Sequence, residues 1–188
     1  MTVRVIFISP AIGDALRQAR FDDDGPLDES GVRAARAAGP ALPAADRHLA
    51  SPSTRCRRTA EELGLTGVVA EEALRGCGMG RWRGRTLDEV AAEEPQAVLE
   101  WLADPEAAPH GGESVRELCA RVGEWLDGTA AAGPAGRLLV VAEPDVVRAA
   151  AVHALGVPAH AFWRLDVPPL ATTGLTGRAG RWNLRLGG

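Results

Sequence analysis

Short apolar runs alternate along this chain with longer amphipathic segments. Three runs predict buried strands, over residues 3–8, 47–50 and 137–142. The last run is apolar after Arg137, as is usual for a central strand of a parallel sheet. The amphipathic segments predict helices over residues 29–38, 54–63, 114–125 and 145–155, and two short helices over residues 86–103 that break near Pro95. Further short strands are predicted over residues 163–167, 171–176 and 182–186.

Strands that alternate with helices predict an α/β fold, specifically a three-layer α/β/α sandwich. The chain has 188 residues, which is enough to bury a sizeable core. No internal repeat, low-complexity tract or long linker interrupts it, and the Ala/Gly/Pro-rich residues 130–136 are short enough to be a loop. We therefore expect a single domain over residues 1–188.

Composition excludes several classes of function. The net charge of −4 gives no reason to expect binding to nucleic acid or to an anionic membrane. No apolar stretch approaches the roughly 20 residues of a membrane helix, and no signal peptide is recognised, so a cytoplasmic protein is expected. Every basic residue is Arg, which together with abundant Ala, Gly and Pro is typical of a high-GC bacterial genome.

The cysteines and acidic residues give no sign of a metal or cofactor. The three cysteines are scattered without a CxxC pair, which argues against a disulfide framework or a zinc site. Residues 22–24 are three consecutive Asp, but no partners stand at a ligand spacing, so a solvated acidic loop is favoured. We expect no bound metal and no cofactor.

Five segments, in order, carry a family resemblance. They are Arg20-Phe21, residues 26–31 (Pro-Leu-Asp-Glu-Ser-Gly), residues 51–60 (Ser-Pro-Ser-Thr-Arg-Cys-Arg-Arg-Thr-Ala), residues 80–86 (Gly-Arg-Trp-Arg-Gly-Arg-Thr) and residues 109–114 (Pro-His-Gly-Gly-Glu-Ser). In type and spacing the set resembles the histidine phosphatase superfamily, also called the phosphoglycerate mutase-like family. The resemblance extends from about residue 3 to residue 186 and implies that family's α/β/α fold.

The residues that carry the family's chemistry are mostly different here. The resemblance implies Arg-His-Gly after the first strand, where this chain has Ser9, Pro10 and Ala11. Proline has no side-chain nitrogen, so it cannot form a phosphohistidine. The second catalytic histidine corresponds to Glu143 and the acidic proton donor to Gly76. We therefore interpret the chain as a degenerate member in which Arg55 remains and Arg20 is a peripheral helper.

Six residues are candidates for a site, and most allow two interpretations. Arg55 and Ser9 are candidates for substrate binding, as is Arg20, and Glu143 is a candidate acid or base. For Arg55 and Glu143, an ion pair with each other is favoured over these roles, because a buried charge without a partner is costly. The second interpretation of Glu143 alone is a structural carboxylate at the start of the following helix.

The segment at residues 109–114 contributes the other two candidates. Glu113 is suited to bind substrate at a pocket rim, or to cap the next helix, and capping is favoured. His110 is the one imidazole in a pocket motif, although a hydrogen-bonded surface histidine is favoured over a catalytic base. Cys77, next to the missing acid, is favoured as a small buried residue over a nucleophilic thiolate.

Two functions follow. The first is a pseudoenzyme without phosphoryl transfer, which serves as a binding, scaffold or regulatory subunit with a protein partner or as a homodimer. The alternative is a repurposed enzyme of bacterial specialised metabolism that acts on a small-molecule ligand, with Glu143 as acid or base and Arg55 holding an anion. A retired pocket is expected to be closed by an Arg55–Glu143 contact and filled by Trp82 or Met79. A reused pocket is expected to be open and to hold at least two convergent polar groups.

Overall fold

A computed structural model describes residues 2–21, 24–132, 136–178 and 180–185. Its centre is a six-stranded sheet in the order β3-β2-β4-β1-β5-β6. The strands are β1 (Val3–Ile8), β2 (Arg47–Ala50), β3 (Val69–Ala70), β4 (Gly136–Val141), β5 (Thr172–Arg178) and β6 (Arg181–Arg185). The first four run parallel to one another, while β5 is antiparallel to β1 and to β6. The carboxyl ends of β1, β2 and β4 therefore lie along one edge.

Helices cover both faces of the sheet. They are α1 (Asp14–Arg17), α2 (Glu29–Ala38), α3 (Thr54–Glu62), α4 (Leu87–Glu93), α5 (Pro95–Ala103), α6 (Val115–Ala132) and α7 (Pro144–Leu155). Alternate residues of each strand point to opposite faces. Accordingly, Val140 of β4 packs with α6 and α7, whereas Val141 packs with α2 and α3. The predicted three-layer α/β/α sandwich is confirmed.

A third apolar cluster is built from the segment between β3 and α6. Its buried members are Met79, Trp82, Val90 and Val98, and Trp101 and Phe21 pack against them. The cluster is distinct from the two that sandwich the sheet. It provides one wall of the cleft described below.

The end of the chain differs from its predicted structure. A strand was expected over residues 163–167, but Ala159–Arg164 form a 3₁₀-helix with Phe162 buried against the main core. Pro158 precedes this turn, and Pro168 and Pro169 follow it without N–H groups for sheet pairing. The predictions for Asp22, Asp23 and residues 133–135 fall outside the described residues. In the parts of the chain that are described, no helix has both the length and the apolar character needed to span a bilayer.

Candidate active site

The candidate residues collect where the parallel strands end. Ser9 follows β1, Ser51 follows β2, and Glu143 follows β4 after one intervening residue. In open α/β sheets, ligands generally bind at this carboxyl edge. Helix α3 begins at the same place, with Ser53 as its N-cap, because its side chain accepts a hydrogen bond from the Cys56 N–H.

Glu143 and Arg55 form the predicted ion pair. The Glu143 carboxylate accepts hydrogen bonds from Arg55 Nη2 and from Ser53 Oγ, the latter at 2.8 Å. The Glu143 side chain is 9% exposed and that of Arg55 is 17% exposed. Glu143 is also the N-cap residue of α7, but its side chain makes no capping hydrogen bond there. The carboxylate therefore connects the start of α7 to the first turn of α3.

A second carboxylate binds the same helix end. Asp24 accepts hydrogen bonds from the Thr54 N–H at 2.6 Å and from Thr54 Oγ1 at 3.0 Å. A helix N-terminus attracts anions, because its first N–H groups lack partners within the helix. Here the chain itself supplies the anions, in the form of Asp24 and Glu143.

Asp145 lies beside Glu143 but has different surroundings. Its Oδ2 accepts a hydrogen bond of 2.6 Å from the Cys77 N–H, and its Oδ1 accepts one of 2.7 Å from the Val146 N–H. Burial, together with the negative charge of Glu143, raises the pKa of Asp145 to about 6. Asp145 is therefore a carboxyl that exchanges its proton close to neutral pH.

Gly76 packs directly against these two carboxylates. A Cβ atom at Gly76 would lie 3.4 Å from Cγ of Glu143 and 3.5 Å from Oδ2 of Asp145. An acidic side chain at this position would meet two other carboxylates at contact distance. The neighbouring Cys77 donates its thiol hydrogen to the Glu113 carbonyl at 3.2 Å, and burial raises its pKa well above the ordinary value, which disfavours a thiolate.

The expectation of a surface position for His110 is wrong. His110 is 1% exposed, and its ring centroid lies 5.1 Å from that of Trp82. Its Nδ1 accepts a hydrogen bond from the Gly112 N–H at 3.0 Å, which assigns the proton to Nε2. Burial and the nearby Arg81 lower the pKa of His110, so the ring is neutral. His110 does not line the cleft and belongs to the packing behind it.

Glu113 does not cap α6, contrary to expectation. Ser114 and Glu117 form that cap: the Glu117 N–H bonds to Ser114 Oγ at 3.1 Å, and the Ser114 N–H bonds to Glu117 Oε2 at 2.8 Å. Glu113 instead accepts two hydrogen bonds from Arg121, at 2.8 Å from Nε and 2.7 Å from Nη2. This pair holds the segment before α6 in place and lies outside the cleft.

Ser9 and Arg20 are held by hydrogen bonds to other parts of the chain. The Ser9 hydroxyl donates to the Pro168 carbonyl and accepts from the Ala171 N–H at 3.1 Å, so it ties the end of β1 to the segment before β5. Arg20 donates to the Gly84 carbonyl and to Gln18 Oε1. Arg20 lines the cleft, whereas Ser9 does not.

Beside the Arg55–Glu143 pair lies an open cavity of about 340 Å³. One wall is aromatic and is formed by Phe21, Trp101, Phe162 and Trp163. The rings contact one another edge to face: the centroids of Trp101 and Trp163 are 4.5 Å apart, and those of Phe162 and Trp163 are 4.9 Å apart. Met79 lines the cavity without filling it, and Trp82 packs behind Trp101 and Phe21.

The charged residues at this cavity are Arg20, Arg55, Glu143, Asp145 and Arg148. Sequence reasoning missed Arg148 and the aromatic wall. Helical periodicity could have placed Arg148 at this site, because Asp145 and Arg148 stand three residues apart on α7 and share one face. Within the described ranges, no group of three or more His, Cys, Asp or Glu side chains is arranged to hold a metal.

Known proteins resemble this chain in sequence and in fold. It is 40% identical over 76 residues to glucosyl-3-phosphoglycerate phosphatase of Mycobacterium tuberculosis, which covers 39% of this chain and 34% of the relative. It is 36% identical over 110 residues to the 2,3-bisphosphoglycerate-dependent phosphoglycerate mutase of Azorhizobium caulinodans, which covers 53% of each. The matches thus span about a third to a half of these curated relatives.

The fold comparison extends over the whole chain. The structure of the mycobacterial glucosyl-3-phosphoglycerate phosphatase has a TM-score of 0.84 at 26% identity, over 98% of this chain and 97% of that one. A solved mycobacterial hydrolase gives a TM-score of 0.85 at 27% identity, over 99% and 98%. The family model for branch 1 of the histidine phosphatase superfamily matches residues 14–187. On this evidence of sequence and fold, the chain belongs to the histidine phosphatase superfamily.

Proposed function

We propose that this protein is a pseudoenzyme that does not transfer phosphoryl groups and that uses the cleft for binding, as a regulatory or scaffold subunit. The observation that carries the proposal is the Glu143 carboxylate on Arg55 and Ser53 at the start of α3. A phosphoryl-transfer site surrounds developing negative charge with cations and hydrogen-bond donors. Here an internal carboxylate occupies those donors.

The position expected for the nucleophile supports the proposal. By resemblance, the family's catalytic triplet corresponds to Ser9, Pro10 and Ala11 after β1. Pro10 has no nucleophilic atom in its side chain. The Ser9 hydroxyl is bonded to the Pro168 carbonyl and the Ala171 N–H. No group in this triplet is therefore available to attack phosphorus.

The charge of the cleft also opposes a phosphate dianion. Glu143 and Asp145 both line it, and Glu143 already neutralises Arg55. Two unit charges 4 Å apart interact by about 4 kcal/mol at an effective dielectric constant of ~20. A phosphate beside these carboxylates would meet repulsion of that order, against which the remaining cations would have to act.

Activity assays test the proposal directly. The substrates are p-nitrophenyl phosphate, 3-phosphoglycerate and glucosyl-3-phosphoglycerate, the last taken from the name of the relatives. We expect no release of phosphate above background, and the same background from Arg55→Ala. Turnover that Arg55→Ala abolishes would contradict the proposal, because it would place a working phosphoryl site at Arg55.

Calorimetry with vanadate tests the electrostatic argument separately. The wild type is expected not to bind, whereas Glu143→Gln removes the negative charge beside Arg55 and is expected to gain affinity. Glu113→Gln is the matched control, since Glu113 is also paired with an Arg but lies outside the cavity. Equal vanadate binding by wild type and Glu143→Gln would show that the carboxylate does not block the site.

A repurposed enzyme is the second candidate, and Asp145 favours it. This carboxyl borders the open cavity and has a pKa of about 6, which suits a general acid or base near neutral pH. The test is deuterium incorporation from heavy water into carbon acids, followed by nuclear magnetic resonance. Incorporation that Asp145→Asn abolishes would support this candidate, and absence of incorporation into every ligand that binds would reject it.

A further inference from the structure

We infer that the cavity binds a small monoanionic carboxylic acid with a flat apolar body, whose carboxylate contacts Arg148 and whose body lies against the aromatic wall. The inference rests on the proposed function, because it treats the cleft as a binding site and not as a phosphoryl-transfer site. It names the ligand class and the residue that recognises the anion.

Two contacts hold Arg148 in place, and they engage only one of its hydrogen-bond donor nitrogens. Its Nε donates to the Leu165 carbonyl at 2.7 Å, and its guanidinium carbon lies 5.7 Å from the centroid of the Phe162 ring. These two contacts fix the plane of the guanidinium. Among the described residues, Arg148 makes no ion pair, and its Nη1 and Nη2 atoms have no hydrogen-bond partner. A guanidinium with two free nitrogens matches the geometry of a carboxylate.

The aromatic wall continues directly from Arg148. Phe162 lies under its guanidinium and contacts Trp163, which in turn contacts Trp101. Flat apolar groups gain both buried area and ring–ring contact against such a wall. A cavity of about 340 Å³ is at the small end of ligand sites, so the body is expected to be one or two rings.

The neighbouring carboxylates select a monoanion. Glu143 and Asp145 line the same cavity as Arg148. A phosphate dianion at Arg148 would meet their repulsion with two charges, whereas a carboxylate meets it with one. An ammonium in place of the carboxylate would be repelled by the Arg148 guanidinium.

Four naphthalene derivatives of matched shape test the inference: 2-naphthoate, 2-naphthylmethanol, 2-naphthylmethylamine and 2-naphthyl phosphate. Binding is followed by calorimetry and by quenching of tryptophan fluorescence. We expect the carboxylate to bind at least tenfold more tightly than the alcohol, and the amine and phosphate to bind no better than the alcohol. Tighter binding of the amine or the phosphate than of the carboxylate, or binding of none of the four, would overturn the inference.

Arg148→Gln locates the anion contact. It is expected to reduce the affinity for 2-naphthoate to that for the alcohol and to leave the affinity for the alcohol unchanged. The unchanged alcohol affinity shows that the variant is folded with its cavity intact. Arg164→Gln is the control, since Arg164 is exposed on the same 3₁₀-helix and does not line the cavity. An equal loss for both ligands would mean that Arg148 shapes the cavity without selecting the carboxylate, and no loss would assign the anion to another group; either result would overturn the inference.

The same series separates the two proposals. Release of fluorescent 2-naphthol from 2-naphthyl phosphate, abolished by Arg55→Ala, would mean that the proposed function fails. Failure of the carboxylate to bind, without release of naphthol, would remove the ligand class and leave the absence of phosphoryl transfer standing.

Discussion

Glu143 and Asp145 stand two residues apart, and their electrostatic surroundings differ. Glu143 contacts a guanidinium, whereas Asp145 is held by two backbone N–H groups and faces the charge of Glu143. Folding therefore raises the pKa of Asp145 from an ordinary 3.8 to about 6. The folded chain binds this proton more tightly than the unfolded chain does, so the contribution of Asp145 to stability falls as the pH rises from about 4 to about 6.

The variant Asp145→Asn isolates this effect. Relative to the variant, the wild type is expected to lose stability between pH 4 and pH 6, by no more than about 3 kcal/mol at 1.36 kcal/mol for each pKa unit, and to change little above pH 6.5. Urea denaturation of both proteins across this range measures the difference. A difference that is constant with pH would show that the Asp145 carboxyl has an ordinary pKa in the folded protein.

The Arg55–Glu143 pair leads to a second prediction at the residue scale. Loss of either partner removes the compensating charge from a largely buried side chain, so Arg55→Ala and Glu143→Ala are each expected to cost about 3–5 kcal/mol. The double variant is expected to cost about 2–3 kcal/mol less than the sum of the two. A double-mutant cycle by urea denaturation gives this coupling energy.

The pair between Arg58 and Glu61 is the control for that cycle. Its N–O distance is 2.6 Å, but its two side chains are 52% and 59% exposed. An exposed pair of this kind is expected to couple by less than about 1 kcal/mol. Equal coupling in the two cycles would mean that burial of the Arg55–Glu143 pair has no energetic consequence.

At the scale of elements, the contact between β5 and β6 depends on a glycine. Gly177 is paired with Trp182, and a Cβ atom at Gly177 would lie 2.7 Å from the indole ring. The same indole is 6% exposed and donates to Asp127 of α6 at 2.9 Å, so it cannot move without losing that contact. The variant Gly177→Ala is therefore expected to destabilise the protein by about 1–3 kcal/mol.

Gly174 in the same strand provides a matched comparison. It is paired with Arg185, and a Cβ atom there would meet the Arg185 side chain at an ordinary 3.5 Å. Gly174→Ala is expected to be neutral or to stabilise by up to about 1 kcal/mol, because alanine loses less conformational entropy on folding. The midpoints of urea denaturation compare the stabilities of the two variants. Equal midpoints would contradict the close approach of Trp182 to Gly177.

The elements also show what the sequence allowed us to predict. Strands β1 and β4 and helix α7 were predicted to within a residue or so, because each is an apolar or amphipathic run ended by Ser, Pro or Gly. The pairing of Arg55 with Glu143 followed from the cost of a buried charge. The aromatic wall was not predictable, since Phe21, Trp101 and Trp163 come from separate segments that meet only after folding. His110 looked exposed between Pro109 and Gly111, yet it packs under Trp82.

At the scale of the whole molecule, the reaction rates of the three cysteine thiols can show whether the protein opens locally or globally. Cys56 is buried, and Cys77 and Cys119 are partly buried. Burial raises the pKa of Cys119 to about 11 and those of Cys56 and Cys77 well above the ordinary value. The thiolate is the reactive form, so each thiol is expected to label slowly with a disulfide reagent at pH 8. For Cys119, a rise of two pKa units corresponds to about a hundredfold slower reaction than for a free thiol.

The order of labelling then distinguishes local from global opening. Cys119 is expected to react first, through local motion, and Cys56 last, since it lies in the core between α3 and the sheet. Urea below the unfolding midpoint is expected to increase the labelling rate of Cys56, with the same dependence on urea concentration as global unfolding. It is expected to increase the labelling rate of Cys119 less. Mass spectrometry of peptides assigns each site, and Cys119→Ser confirms the first phase. If Cys77 in the native protein reacted at the rate of a free thiol, burial would not raise its pKa. Cys77 would then again be a candidate thiolate nucleophile.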